Sequence, residues 1–405
     1  MKPGAWLKKA GTKSVFAGLA FVAFFLPFYS SLTGAGIGLV FLGTLGIGTA
    51  KGRGLLRNAP LGPVFLFFGA SLLASITHPA TLPVSAVGLR KSLLYLFVVA
   101  GGALVLDDKA RLKQLLGLIL ASALLAAADA HYQLLSGRDF FSLRPLMTYP
   151  GGLIIRVTGP FKQAALLAIY LECVLAGCAV FIAAPSSRRT RLAATAAGAL
   201  LAAAILLTLT PASLVVLAAL FVFLTIAVRR PGLNALFLAL PAAFWSIPPG
   251  TRHALIRLLA QNLVSRGRMF LIGARLFLER PFLGHGLNTF SADYAAAARP
   301  GDPFYGAGGP YAHDMYLQLA CETGLVGLAA FLGLAAWLLH RLLKPEREDP
   351  QAPRDQRLRL ALALSLIAYL IHGLFESSLQ TSQGALIFWV LTGLAIAAGR
   401  RRRSA

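Results

Sequence analysis

Apolar runs of roughly 17–25 residues recur along the whole chain, and no other feature constrains its fold so tightly. A run of that length crosses the hydrocarbon of a bilayer as a helix. In lipid every backbone polar group needs an internal partner, so only helices and closed barrels span. These runs are continuous and rich in Leu and Ala, without the strict alternation of a barrel strand. Composition agrees, with 57% of residues hydrophobic and 13% charged. The expected fold is an all-α polytopic membrane protein of about twelve transmembrane helices, near 14–30, 34–50, 61–77, 87–106, 112–131, 161–184, 191–209, 211–228, 233–248, 314–340, 360–376 and 383–399. Pro211 separates the seventh from the eighth, since proline ends or kinks a helix. The first run has a basic start but no small-residue cleavage site, so it reads as a signal anchor.

The formal net charge is +23, from 38 Lys and Arg against 15 Asp and Glu. Such an excess can signal a nucleic-acid partner. Here the charges fall in short clusters between apolar runs, which is how membrane topology is encoded, and no nucleic acid is expected. With twelve spans, about two thirds of the basic residues share one side. They are Lys2 to Lys13, Lys51 to Arg57, Lys109 to Lys113, Arg188 to Arg191, Arg229 and Arg230, Arg341 to Arg359, and Arg400 to Arg403. The positive-inside rule makes that side the cytoplasm, with both termini in it.

The other third lies opposite: Arg90, Lys91, Arg138, Arg144, Arg156, Lys162, Arg252, Arg257, Arg266, Arg268, Arg275, Arg280 and Arg299. Topology does not require them there. Headgroup contact and solvated loops account for some. A basic outer cavity that holds phosphate or pyrophosphate accounts for the rest. The one long outer segment divides the chain into residues 1–248 with nine helices, the loop 249–313, and residues 314–405 with the last three helices and a basic cytoplasmic tail.

The polar groups that could do chemistry concentrate in that loop. Residues 252–280 form a basic amphipathic helix in which Arg268 and Arg275 lie near one face, two turns apart. Pro281, Gly284 and Gly286 end it, and a Gly/Pro-rich loop leads to His313 at the mouth of the tenth span. Histidine takes or gives a proton near neutral pH. Asp314 is read as a helix N-terminal acid rather than the group that orients His313. Arg156 stands just before the sixth span, and Arg90 and Lys91 at the outer end of the fourth. Snorkelling anchors and cavity-lining cations are both open readings for Arg90 and Lys91, and the cavity is the favoured one for Arg156. No phosphate-binding GxxxxGK[ST] occurs, and no acidic or His/Cys cluster has metal-ligand spacing. Cys173, Cys178 and Cys321 read as packed membrane thiols. Asp129, Glu172, Glu322 and Glu376 lie in or at spans and are scattered in sequence, so a proton-coupled transporter is the lesser reading.

The stretches SRGRMFLIGARLFLERPFLGHGLNTFSADY and AHDMYLQLACETGLVGLAAF resemble the signature region of the O-antigen ligase and O-antigen polymerase superfamily. Its pattern is an arginine-bearing helix, a P-x-x-G-x-G turn, a histidine opening a span, and a downstream E-x-G-x-x-G. Arg156 with Thr158, Gly159 and Phe161 is similar to the family's element before a middle span, and residues 372–389 fit its last helix pair. Two departures stand out: Asp314 follows the histidine where asparagine is common, and LTLTPASL carries no arginine where the family often has one.

The resemblance implies an inverting glycosyltransferase that uses no metal and no other cofactor. The enzyme would sit in the bacterial inner membrane, its active site facing the periplasm. Donor would be a glycan on undecaprenyl pyrophosphate; acceptor would be lipid A–core for a ligase, or another lipid-linked repeat for a polymerase. It gives His313 the part of catalytic base, and Arg90, Lys91, Arg156, Arg266, Arg268 and Arg275 contacts to pyrophosphate. The compact outer loop and very basic outer face favour the ligase, with its phosphorylated acceptor, over the polymerase. A lipid-linked glycan transporter is a third alternative.

Overall fold

The computed structural model describes residues 3–51, 61–106, 108–148, 155–183, 187–228, 249–306, 310–344 and 352–399. Helices dominate: α1 (Pro3–Phe25), α2 (Ser30–Lys51), α3 (Gly62–Ile76), α4 (Leu82–Val105), α5 (Lys109–Ser136), α6 (Ala164–Ala183), α7 (Arg188–Leu207), α8 (Pro211–Val228), α9 (Pro249–Glu279), α10 (Phe290–Ala297), α11 (Met315–Leu343), α12 (Ala352–His372) and α13 (Ser382–Ala398). The protein is an all-α multi-pass membrane protein. Among the described residues, six helices are long and apolar enough to cross a bilayer, and α3, α8 and α13 are shorter apolar helices. Every expected span except the ninth falls on one of α1–α8 or α11–α13. The ninth, 233–248, lies outside the described residues.

Helix ends follow local chemistry. Asp108, Ser187, Asp314 and Thr381 cap α5, α7, α11 and α13 by accepting from backbone N–H groups of the first turn. α1 starts at Pro3, well before the apolar run at 14, because the Ala- and Lys-bearing lead-in continues the helix beyond its apolar part. Close packing of α1 on α2 rests on glycine: a Cβ on Gly18 would stand 2.5 Å from the Gly36 carbonyl oxygen.

Connectivity gathers one set of loops at one end of the bundle, and contacts tie them together. Gln383 donates to the Leu26 carbonyl at 3.0 Å, and the rings of Phe28 and Phe141 lie 4.4 Å apart. The Met315 amide donates to the Gly373 carbonyl at 2.8 Å. At the same end a small antiparallel pair, β1 (Met147–Thr148) with β2 (Ile155–Arg156), sits on the α5–α6 connection. Two-residue strands leave no periodic signal, so hydropathy could not announce them.

Candidate functional site

The two glycine motifs named above interlock. α11 is broken at Gly324, whose φ of 62° and ψ of −169° only glycine adopts readily. The turn 281–286 after α9 fills the break. Amides of His285 and Gly286 donate to the carbonyls of Cys321 and Glu322, each at 2.9 Å. In return the amides of Leu325 and Val326 donate to Pro281 and Phe282 at 2.8 and 3.2 Å. Thus the carbonyl and amide groups freed by the break are paired again. There is no room for a side chain: a Cβ on Gly324 would lie 2.2 Å from the Phe282 backbone, and one on Gly284 2.5 Å from that of Glu322. The Glu322 carboxylate, 1% exposed, accepts from Gln318 Nε2 and the Asn288 amide, both at 3.0 Å. This joint fixes α9 against α11, with the Cys321 thiol 3.1 Å from the Gly273 carbonyl.

The arginine side of α9 is thereby set beside the start of α11 and the loop after α12. His313 precedes α11 at a φ of 52°, a left-handed conformation uncommon outside glycine. Its Nδ1–H donates to Glu376 Oε2 at 3.0 Å. The other Glu376 oxygen accepts from Arg266 Nη2 at 2.8 Å, and Arg266 Nη1 donates to the Phe375 carbonyl at 2.5 Å. Arg266, Glu376 and His313 form one hydrogen-bonded chain. Burial pushes the Glu376 carboxyl up, but the His313 hydrogen bond and the charges of His313 and Arg266 outweigh it and hold it below its ordinary 4.5. With Nδ1 committed, His313 Nε2 has no partner among the described residues, on a side chain 32% exposed that a substrate can reach.

Asp314 does not orient His313. It accepts the Leu317 amide at 2.7 Å as the cap of α11, and burial raises its carboxyl above the ordinary 3.8 against that bond. Glu376, read in the sequence as one of four scattered carboxylates, is the group beside the histidine. Nor is Glu172 alone: it pairs with His372 at 2.8 Å, both fully buried. Asp129 accepts the Phe140 amide at 2.7 Å. The scatter in sequence is pairing in space.

The other sequence-derived cations have surroundings of their own. Arg156 binds the α7–α8 junction, donating to the Thr208 carbonyl at 2.7 Å and Thr210 Oγ1 at 3.2 Å. A guanidinium therefore stands against the LTLT segment, which has none of its own. Arg268 is exposed and donates to the Gly301 carbonyl at 2.6 Å; Arg275 is exposed. Arg90 is exposed on α4, and Lys91 lines a small cleft with Asn288, Glu322 and Gln380. Arg280 contacts His78 Nδ1, whose Nε2–H donates to the Gly284 carbonyl at 2.9 Å, so it clamps the turn to the α3–α4 loop. Burial and the Arg280 charge lower the His78 pKa from 6.5. Among the described residues no group of three or more His, Cys, Asp or Glu is placed to hold a metal ion.

Residues 196–332 match the family model described as O-antigen ligase. The match supports a likeness to the O-antigen ligase and polymerase superfamily over that stretch, which runs from α7 to the middle of α11 and includes the glycine joint, Arg266 and His313. Glu376 and Arg156 lie outside it. No curated protein matches the chain.

Proposed function

We propose that the protein is an O-antigen ligase, moving a glycan from undecaprenyl pyrophosphate to lipid A–core at the periplasmic face of the bacterial inner membrane, with both termini cytoplasmic. The hydrogen-bonded chain Arg266–Glu376–His313 carries this reading, because it has the parts of a general base with its orienting carboxylate. An acceptor hydroxyl oxygen attacks the anomeric carbon from the face opposite the pyrophosphate. As that C–O bond forms, the bond to pyrophosphate breaks and its electron pair leaves with the phosphate oxygen, so the configuration inverts. His313 Nε2 takes the hydroxyl proton, and Glu376 holds the Nδ1–H and stabilises the imidazolium. Arg266 is occupied with Glu376 and the Phe375 carbonyl, so its part is to fix the carboxylate. Arg268, Arg275, Arg156, Arg90 and Lys91 supply positive charge for the departing pyrophosphate, and no metal or cofactor is required.

The basic outer residues favour a phosphorylated acceptor and hence ligation over polymerisation. Deletion of the gene followed by glycolipid analysis tests this. Loss of all polymer from lipid A–core with lipid-linked polymer retained is expected. A single repeat on the core would make the protein a polymerase, and an unchanged core would refute both.

A further inference from the structure

A large apolar crevice lies away from the transfer centre. Its volume is about 350 Å³. That is more than twice the ~150 Å³ of an engineered apolar cavity that stays dry and takes up benzene. Lys113 and Leu358 from the early turns of α5 and α12, and Phe181 and Leu394 from the late turns of α6 and α13, line it. Those are the opposite helix ends from the loop that carries Glu376, and from them the crevice runs along the bundle as far as Leu26 and Ile387. The crevice opens between α5 and α6, where Lys113, Gly117, Leu120 and Phe181 are exposed.

Two glycines shape the opening. Gly117 on α5 and Gly177 on α6 both line it, and a Cβ on either would meet nothing within 4 Å. Membrane helices use glycine to bring backbones into contact, as Gly18 and Gly36 do here. Gly117 and Gly177 instead leave a gap. An unfilled gap forfeits dispersion contacts, and within a bilayer the filler at hand is an aliphatic chain. The rim supplies a charge. Lys109 is paired with Asp355 and Arg111 with Asp108, whereas Lys113 has no acidic partner among the described residues. An apolar cleft with a cation at its mouth suits a hydrocarbon chain that ends in a phosphate.

We propose that the crevice between α5 and α6 is a lipid site: it holds the acyl chain of an anionic phospholipid whose phosphate rests on Lys113. The proposed glycan donor places its own phosphates at the other end of the bundle, so its headgroup is not the one bound here. The site is independent of glycan transfer and is tested without it.

The test is lipid retention by purified protein, washed in detergent and then offered dioleoyl phosphatidylglycerol or dioleoyl phosphatidylcholine. Bound lipid is measured by mass spectrometry and the melting temperature is recorded. Wild type should keep phosphatidylglycerol in preference to phosphatidylcholine and melt higher with it. Gly117→Leu/Gly177→Leu should fill the crevice, lose the lipid and show no lipid-dependent rise in melting temperature. Lys113→Ala should retain about fivefold less, the worth of one lysine near an anionic headgroup. Gly117→Ala/Gly177→Ala should retain the lipid. Undiminished binding by the leucine pair overturns the proposal. So does equal retention of the two lipids, or a polyprenyl chain as the lipid wild type keeps. Should the leucine pair fail to accumulate, unchanged retention by Lys113→Ala overturns it alone.

Discussion

At the scale of single residues, Glu376 is the position the sequence did not yield. It stands 63 residues from His313 and 110 from Arg266, so no spacing rule links them. Arg266 and His313 were legible because a basic outer helix and a histidine at a span's mouth are anomalies against an apolar background. A carboxylate near a span end is not. Two outcomes follow from its position. Glu376→Gln should lower the transfer rate by about 10²–10⁴, the range for losing a general base, since the base loses its orienting anion. Glu376→Asp should recover part of it. The second outcome concerns pH. The folded protein holds this carboxyl below 4.5, so the stabilisation it gives is complete above the unfolded value and is lost as pH falls through the lowered one. Thermal melts of wild type and Glu376→Gln from neutral pH downward should therefore converge in acid. A gap that stays constant to the acid limit would mean that the carboxylate contributes nothing through its charge.

At the scale of elements, the sequence showed the helices and hid the joint between them. Hydropathy is local, so each run of apolar residues announces its own helix. The P-x-x-G-x-G turn and E-x-G-x-x-G segment are equally visible as motifs. That one fills a break in the other is a tertiary fact, because Gly284 and Gly324 are required by each other's surroundings rather than by their own neighbours. Gly324→Ala should cost about 1–3 kcal/mol from backbone strain alone. The clash with Phe282 adds to that, so melting temperature and abundance should fall sharply. Gly333→Ala, on the same helix with nothing within 4 Å of its Cβ, serves as the control and should be nearly neutral. Equal melting of the two variants would show that the joint does not hold α9 against α11.

For the whole molecule, the distribution of basic residues predicts an orientation, and the described helix ends fall into two groups that a labelling experiment can assign to the two sides. Loops bearing His78, Arg156, Thr210, His313 and Glu376 all belong to one end, while Lys113 and Arg189 belong to the other. Impermeant thiol reagents check the orientation, since the three native cysteines are buried. In intact spheroplasts Tyr305→Cys should label, and Arg189→Cys should label only after permeabilisation. The reverse pattern would put the transfer centre in the cytoplasm and end the periplasmic assignment.

Arg266, Glu376 and His313 are proposed to act together as the transfer centre. Purified protein with a lipid-linked glycan donor, lipid A–core acceptor and excess chelator measures this most directly. Wild type should transfer glycan. His313→Ala and Glu376→Gln should each lose about 10²-fold or more of that rate while still binding donor. If either variant keeps more than a tenth of the wild-type rate, or if wild-type transfer stops in chelator and returns with magnesium, these three residues are not the catalytic unit described here.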